Sequence, residues 1–507
     1  MSANLHRTLI TLGLILSAFM SAMDTTVANI ALPHIQGSIS ASPEQITWVI
    51  TSYFIAQAVT IPVSGWLAAR FGLKPMLLFC IFGFTLTSVL CGMAMNLPEL
   101  VLFRALQGVV AAPLMPVAQS VLININPPER LGRATALFTM AAVVAPAIGP
   151  VIGGWLTDEL SWRWCFYINL PAGLLSMGLL YFFLPASSPA PRPFDLLGFA
   201  SLGIAISALQ LMLDRGTTLD WFDSREIWIE AAVAGCAFWI FLVHSLTARA
   251  PLFPRALLAD RNFQTSALFG FFFSTLTFTS FALLPLMMQG VLGYSAVHAG
   301  MLSAPRGILM LVILQFMGRL DTMIDRRVLI AVGLSFFVLA FWEMSRFDLS
   351  MAGDRIVWAT LLQGFGQGIL FVPLSTLGFM TIAPHLRPDA AAATSFVRNV
   401  GGSISVAVFQ ALTVTNSQTV QSTLSAHIGR EVAEAQVLPP YLSPDTTAGA
   451  VALHAEISRQ ALMVAYIDDF HLLMIIAVMS VPLVLLIRPP RRAALKDPEP
   501  MPIEVHG

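Results

Sequence analysis

Charge is what this chain has least of. Of its 507 residues, 27 are Lys or Arg and 28 are Asp or Glu, so charged residues make up only 11%. A soluble domain carries about 25%. A chain this poor in charge cannot cover a water-soluble fold with solvated side chains, which excludes that class. The net charge of −1 also excludes the basic surface that a nucleic-acid partner requires. Cysteine is scarce too. Cys80, Cys91, Cys165 and Cys236 lie in or beside apolar runs without metal-ligand spacing. They read as small core residues, and no metal site is expected. Catalytic signatures are missing as well: there is no HExxH, no GxSxG and no pair of intramembrane aspartates, so no enzyme activity is expected.

Long apolar runs are what the chain has instead. Hydrophobic residues make up 56% and mean hydropathy is +0.77, the composition of an all-α, polytopic membrane protein. Fourteen runs of spanning length are expected, over 8–32, 46–68, 75–95, 99–123, 135–157, 164–185, 196–214, 227–248, 263–289, 298–318, 328–346, 355–381, 390–414 and 469–487. The first run follows His6 and Arg7 and continues past Asp24 to Leu32, so it reads as a retained span rather than a cleaved leader. With the N-terminus inside, the inner segments carry 17 Lys and Arg residues and the outer segments seven. That asymmetry places both termini in the cytoplasm.

The chain also repeats itself. Gly65-Trp66-Leu67 matches Gly318-Arg319-Leu320 at an offset of 253, Leu106-Gln107-Gly108 matches Leu362-Gln363-Gly364 at 256, and Arg130 matches Arg387 at 257. This maps spans one to six onto nine to fourteen. The expected organisation is a six-helix half over 1–185, two inserted helices over 186–262, and a second six-helix half over 263–487. A long, polar outer loop over 415–468, with helical stretches such as Thr447 to Ala465, and a disordered cytoplasmic tail over 488–507 complete it. Duplicated halves around a central site are a transporter architecture.

Few charges fall inside the spans. Asp24 lies about 12 Å in from the outer end of span one, on a face with Ser17, Ser21, Ala28 and Ala31. A carboxylate there costs about 2.5–3.5 kcal/mol even on the lenient insertion scale, which marks it as functional. Arg104 lies about 9 Å in from the outer start of span four, on a smooth face with Gly108, Ala111 and Met115. The two are expected to meet directly or to share a water. Arg306 and Arg398 lie in spans ten and thirteen and need a carbonyl, an acid, water or substrate. With three arginines against one clear acid, anionic substrates have room. The expected cavity wall draws on Asn29, Gln57, Gln119, Asn169, Gln289, Arg306, Gln363, Gln367 and Arg398. In span five, Pro146, Gly149, Pro150, Gly153 and Gly154 combine a GxxxG with two prolines. That pattern suits a close-packed hinge or seal.

Several stretches together resemble a known family. Met23 to Pro33 is similar to the first-helix signature of the fourteen-span drug:proton antiporters of the major facilitator superfamily. Arg104 to Gly108 resembles the fourth-helix motif, Ala145 to Gly154 the antiporter motif of helix five, and Trp162 to Pro171 the entry to helix six. The stretch Gly65 to Lys74, with Arg70 and Gly72, resembles the loop between helices two and three. It departs from the pattern because Ala69 stands where the family has an acid. Asp321, Asp325, Arg326 and Arg327 of the repeat's loop are then expected to carry part of the inner latch.

The resemblance implies the major facilitator fold, with two six-helix bundles and two extra helices between them. It implies an exporter of hydrophobic or amphiphilic compounds in a bacterial inner membrane, coupled to protons through Asp24 and Arg104 and needing no cofactor beyond the proton gradient. It extends to the inner-membrane subunits of tripartite systems, whose partners are a periplasmic adaptor and an outer-membrane channel. The alternatives are a dedicated exporter of one metabolite, such as a fatty acid or a siderophore-like anion, and a non-transporting sensor.

Overall fold

The computed structural model describes residues 3–487 except 40, 42, 47, 187, 188, 190–192, 217, 218, 428–441 and 443–445. All regular structure among the described residues is helical. In chain order the long helices are α1 (Ala3–Ile39), α2 (Trp48–Phe71), α3 (Leu73–Met93), α4 (Leu97–Ile125), α5 (Pro128–Glu159), α6 (Trp164–Phe183) and α7 (Leu196–Arg215). They continue as α8 (Arg225–Thr247), α9 (Arg261–Gly290), α10 (Ala296–Met323), α11 (Arg326–Met344), α12 (Gly353–Leu377), α13 (Arg387–His427) and α14 (Thr447–Ser480). Each follows one of the fourteen expected runs. Among the described residues, twelve are long and apolar enough to cross a bilayer by length and composition. The other two, α5 and α13, are 32 and 41 residues long. Both lie where the two halves of the molecule meet.

Local chemistry explains the breaks. α2 tightens into a 3-10 turn at Ile61–Val63, around Pro62, and α4 is interrupted before Leu114 at Pro113, since proline removes a backbone donor. Asn96, Asp195, Asp260, Ser295 and Asp325 cap the starts of α4, α7, α9, α10 and α11 with side-chain acceptors. Gly72 joins α2 to α3 at φ +88°, a left-handed conformation that disfavours any side chain.

In the first half, α1 packs on α5 and α6, α2 on α4, and α3 on α4 and α6. In the second half, α9 packs on α13, α10 on α12, and α11 on α12 and α14. The α1–α5 pairing therefore recurs as α9–α13, and α2–α4 as α10–α12. The inserted α7 and α8 pack on each other, and α7 also lies against α2 and α13. Thr51 donates to Asp214 at 2.8 Å and so fastens α7 to α2. The halves meet through α5 against α10 and through α13 against α2 and α4.

The segment 415–468 holds helix within it: α13 continues to His427 and α14 begins at Thr447, prolonging the two spans, and Gln421 donates to Ser458 at 2.9 Å across the pair. Residues 428–441 and 443–445 of that segment, and the expected tail over 488–507, lie outside the described residues.

Candidate proton site and inter-half cavity

Asp24 and Arg104 meet. Arg104 Nη1 donates to Asp24 Oδ2 at 2.6 Å, and each side chain is 1% exposed. Gln107, one turn along α4, donates to Asp24 Oδ1 at 3.1 Å and accepts from Arg104 Nη1 at 2.8 Å. Asn169 at the base of α6 gives Oδ1 a further hydrogen bond at 2.8 Å. The same amide nitrogen reaches Ser88 Oγ of α3 at 2.9 Å. Arg104 Nε donates to the Val49 carbonyl of α2 at 3.2 Å, and its guanidinium lies 4.3 Å from the Tyr53 ring centroid. Five helices of the first half thus converge on one carboxylate. Both its oxygens are satisfied, which is the condition under which a buried ion pair is tolerated.

The second half carries the same scaffold with the acid removed. Gly108 packs so tightly on α2 that a Cβ there would lie 2.3 Å from the Tyr53 carbonyl oxygen, and Gly364 stands equally close to the Arg306 carbonyl oxygen. Arg104 bonds the Val49 carbonyl, and Thr360 bonds the Leu302 carbonyl at 3.3 Å. Gln107 bonds Asp24, and Gln363 accepts from Ser280 at 3.2 Å. Ser280 therefore stands where Asp24 stands, Thr360 where Arg104 stands, and Arg306 where Tyr53 stands. Arg306 is 4% exposed, donates to Gln363 at 3.0 Å and lies 3.6 Å from the Phe281 centroid.

The expected cavity residues do not form one wall. Gln119 and Arg398 line a narrow cleft between the halves, with Ser266, Phe273, Phe371 and Thr394. Asn169 belongs to the Asp24 network instead, and Gln363 and Arg306 are buried against each other. Gln367 is 4% exposed and buried in α12, Gln57 is half-buried, and Asn29 and Gln289 are exposed on the flanks of α1 and α9. The reading also missed residues. Gln107 was visible as part of the repeat, and Ser88 and Tyr53 carried no signal of their own. Asp469 is a second enclosed acid, 1% exposed in α14. It escaped notice because it fell at the edge of an apolar run.

In α5, a Cβ on Gly149 would lie 2.0 Å from Thr26 Oγ1, and one on Gly153 would lie 3.2 Å from the Val27 Cα. The GxxxG is thus the seat of α1 on α5. Gly154 faces open space. The helix runs on through Pro146 and Pro150, whose side chains lie outside the described residues.

The expected latch residues stay within the second half. Arg326 makes a two-pronged bond to Asp321 at 2.8 and 2.9 Å and touches Met380, Asp325 caps α11, and Arg327 reaches the Ile487 carbonyl. Arg70 is exposed and Lys74 half-buried. What crosses between the halves is α13: Asp389 abuts Gly65, and Arg387 donates to Asn124 of α4 at 2.9 Å. With Ala136 packed against Met310 and Leu314, the halves touch toward the end that holds Arg70, Arg133 and Arg326.

With this geometry, the chain matches the Major Facilitator Superfamily model over residues 14–406. It is 36% identical over 423 residues to the multidrug export protein EmrB of Haemophilus influenzae, covering 83% of each chain. It is 34% identical over 491 residues to the fatty acid resistance protein FarB of Neisseria gonorrhoeae, covering 95% of this chain and 96% of that one. Among solved structures, its fold is similar to that of the proton:xylose symporter XylE, with a TM-score of 0.59 at 14% identity over 95% of this chain and 97% of that chain. The chain is a multi-pass membrane protein of the major facilitator superfamily and belongs to its drug:proton antiporter family.

Proposed function

We propose that the protein is a proton-coupled antiporter that exports hydrophobic or amphiphilic drugs and toxic compounds across a bacterial inner membrane by alternating access. The observation that carries this reading is the enclosed Asp24, bonded by Arg104, Gln107 and Asn169 from two other helices. Protonating Asp24 removes the charge that all three donors serve. Asn169 Oδ1 is buried without a hydrogen-bond partner among the described residues, so a turn of that amide would give the new carboxyl hydrogen an acceptor. Arg104 would then hold only Gln107 and the Val49 carbonyl. The balance between arrangements of α1 and α4 shifts by the difference in binding energy of one proton in the two states.

In this reading the halves 1–185 and 263–487 rock about the cleft, with substrate held near Gln119 and Arg398 against the edge-to-face pair of Phe273 and Phe371. The proton gradient alone drives the cycle, and no cofactor takes part. Both termini face the cytoplasm, as the excess of inner Lys and Arg supports. The paired ends of α13 and α14 would then project on the opposite side, where they offer a surface to a periplasmic adaptor leading to an outer-membrane channel.

A second reading, export of a single carboxylate-bearing amphiphile, has one observation in its favour. Arg398 lines the cavity with no carboxylate partner among the described residues, and FarB, a relative over nearly its whole length, is named for fatty acid resistance. Uptake into acid-loaded vesicles holding the purified protein separates the two. A lipophilic cation and a fatty-acid anion are offered in turn. Transport of both supports multidrug export, transport of the anion alone supports the second reading, and transport of neither under an imposed proton gradient contradicts both.

A further inference from the structure

Asp469 is as enclosed as Asp24, at 1% exposed, yet the proton cycle above does not use it. Its hydrogen-bond partner is the Thr413 hydroxyl of α13. That hydroxyl also lies 2.9 Å from the Phe409 carbonyl oxygen, one turn earlier in the same helix. A threonine hydroxyl has one hydrogen to give. If it goes to Phe409, the contact with Asp469 needs a hydrogen on the carboxyl group. If it goes to Asp469, a buried carboxylate is left with one neutral donor, which costs several kcal/mol. The arrangement that gives both of these contacts a hydrogen is a protonated Asp469 donating to Thr413, which in turn donates to Phe409.

The surroundings supply no counter-charge. On α9 the one charged side chain is Arg261, at the far end of the helix. On α13 the nearest charge is Arg398, about four turns from Thr413. On α11, Arg326 and Arg327 lie at the opposite end, and Glu343 is paired with Arg355 at 3.0 Å. Arg346, just beyond α11, lies over the Trp342 ring. On α14 itself the neighbours are Tyr466, Asp468 and His471, and Arg459 is paired with Glu456. Asp24 has a guanidinium, whereas Asp469 has a hydroxyl and a second acid beside it. Its position is also apt. It stands at the outer start of the expected run 469–487, where α14 and α13 leave the expected membrane layer, and α13 is the helix that touches the other half through Arg387 and Asp389.

We propose that Asp469 is a second proton-binding residue of the transport cycle, protonated in this conformation and releasing its proton when α13 shifts against α14. The proposal rests on the proton-coupled reading, and the test keeps the two apart. Infrared difference spectra are recorded on the full chain in liposomes as pH is stepped, and the proton-to-substrate ratio is measured in the same vesicles. A carboxylic C=O band that Asp469→Asn removes, together with a ratio lower by one proton in that variant, is the expected result. The band should move in Thr413→Val and stay in place in Thr413→Ser. An unchanged band in Asp469→Asn overturns the proposal, and so does a lost band with an unchanged ratio. If Asp469→Asn does not fold, Thr413→Val decides alone: a band that does not move contradicts the proposal. A wild type that moves substrate without protons would overturn the proton-coupled reading instead, whatever the band does.

Discussion

Gly65 of α2 and Asp389 of α13 stand so close that a Cβ on the glycine would lie 2.2 Å from Asp389 Oδ1 and 2.8 Å from its Cα. The second distance matters more, because backbone cannot swing aside as a side chain can. Gly65→Ala should therefore destabilise this arrangement of the halves by about 1–3 kcal/mol, the usual cost of overpacking. The alternative arrangement gains that much in population. Distance measurements between spin labels on α2 and α13 should show the longer separation enriched by roughly ten-fold for each ~1.4 kcal/mol. An unchanged distribution would mean that this contact does not hold the halves together.

The seat of α1 on α5 gives a second prediction. Gly149→Val would drive side-chain atoms into Thr26, where even a Cβ lies 2.0 Å from the hydroxyl oxygen. A loss of about 1–3 kcal/mol in stability is expected, read as a lower Tm in detergent. Gly154→Ala is the control. Nothing lies within 4 Å of its Cβ position, so its Tm should stay at the wild-type value.

Arg104→Ala leaves Asp24 buried without its cation. The expected cost is about 3–5 kcal/mol, with poor recovery of folded protein. Combining Asp24→Asn with Arg104→Gln removes both charges and should restore most of that stability, without restoring proton coupling. Thermal unfolding of the wild type and the two variants checks this. If the double variant is no more stable than Arg104→Ala alone, charge burial is not the cause of the loss.

How much of this could be read from the sequence follows the strength of each local signal. The fourteen helical paths were legible because a bilayer-spanning run of apolar residues is a strong and redundant pattern, and even the short α7 followed it. The Asp24–Arg104 pair was legible because each charge stood alone in an apolar run at a matching depth. Asn169 was assigned to the cavity wall because an amide beside a helix entry looks the same whether it faces solvent or a carboxylate. Asp389 carried no signal and Arg387 was legible only as part of the repeat, because both lie in the first turn of a helix, where acids and bases are common, and their partners Gly65 and Asn124 are hundreds of residues away in sequence. Helix over Thr447 to Ala465 was legible from its composition, but not that it runs unbroken into the last span, because polar residues past the membrane layer carry no apolar signal to join the two.

The central claim is that Asp24 takes up and gives back a proton as the halves change places. Its most direct test is substrate-driven proton flux in vesicles containing the purified full chain, comparing wild type with Asp24→Asn. The account predicts proton flux on substrate addition in the wild type and near-complete loss in the variant, with folded protein still recovered. A folded Asp24→Asn protein that moves protons at the wild-type rate would contradict it.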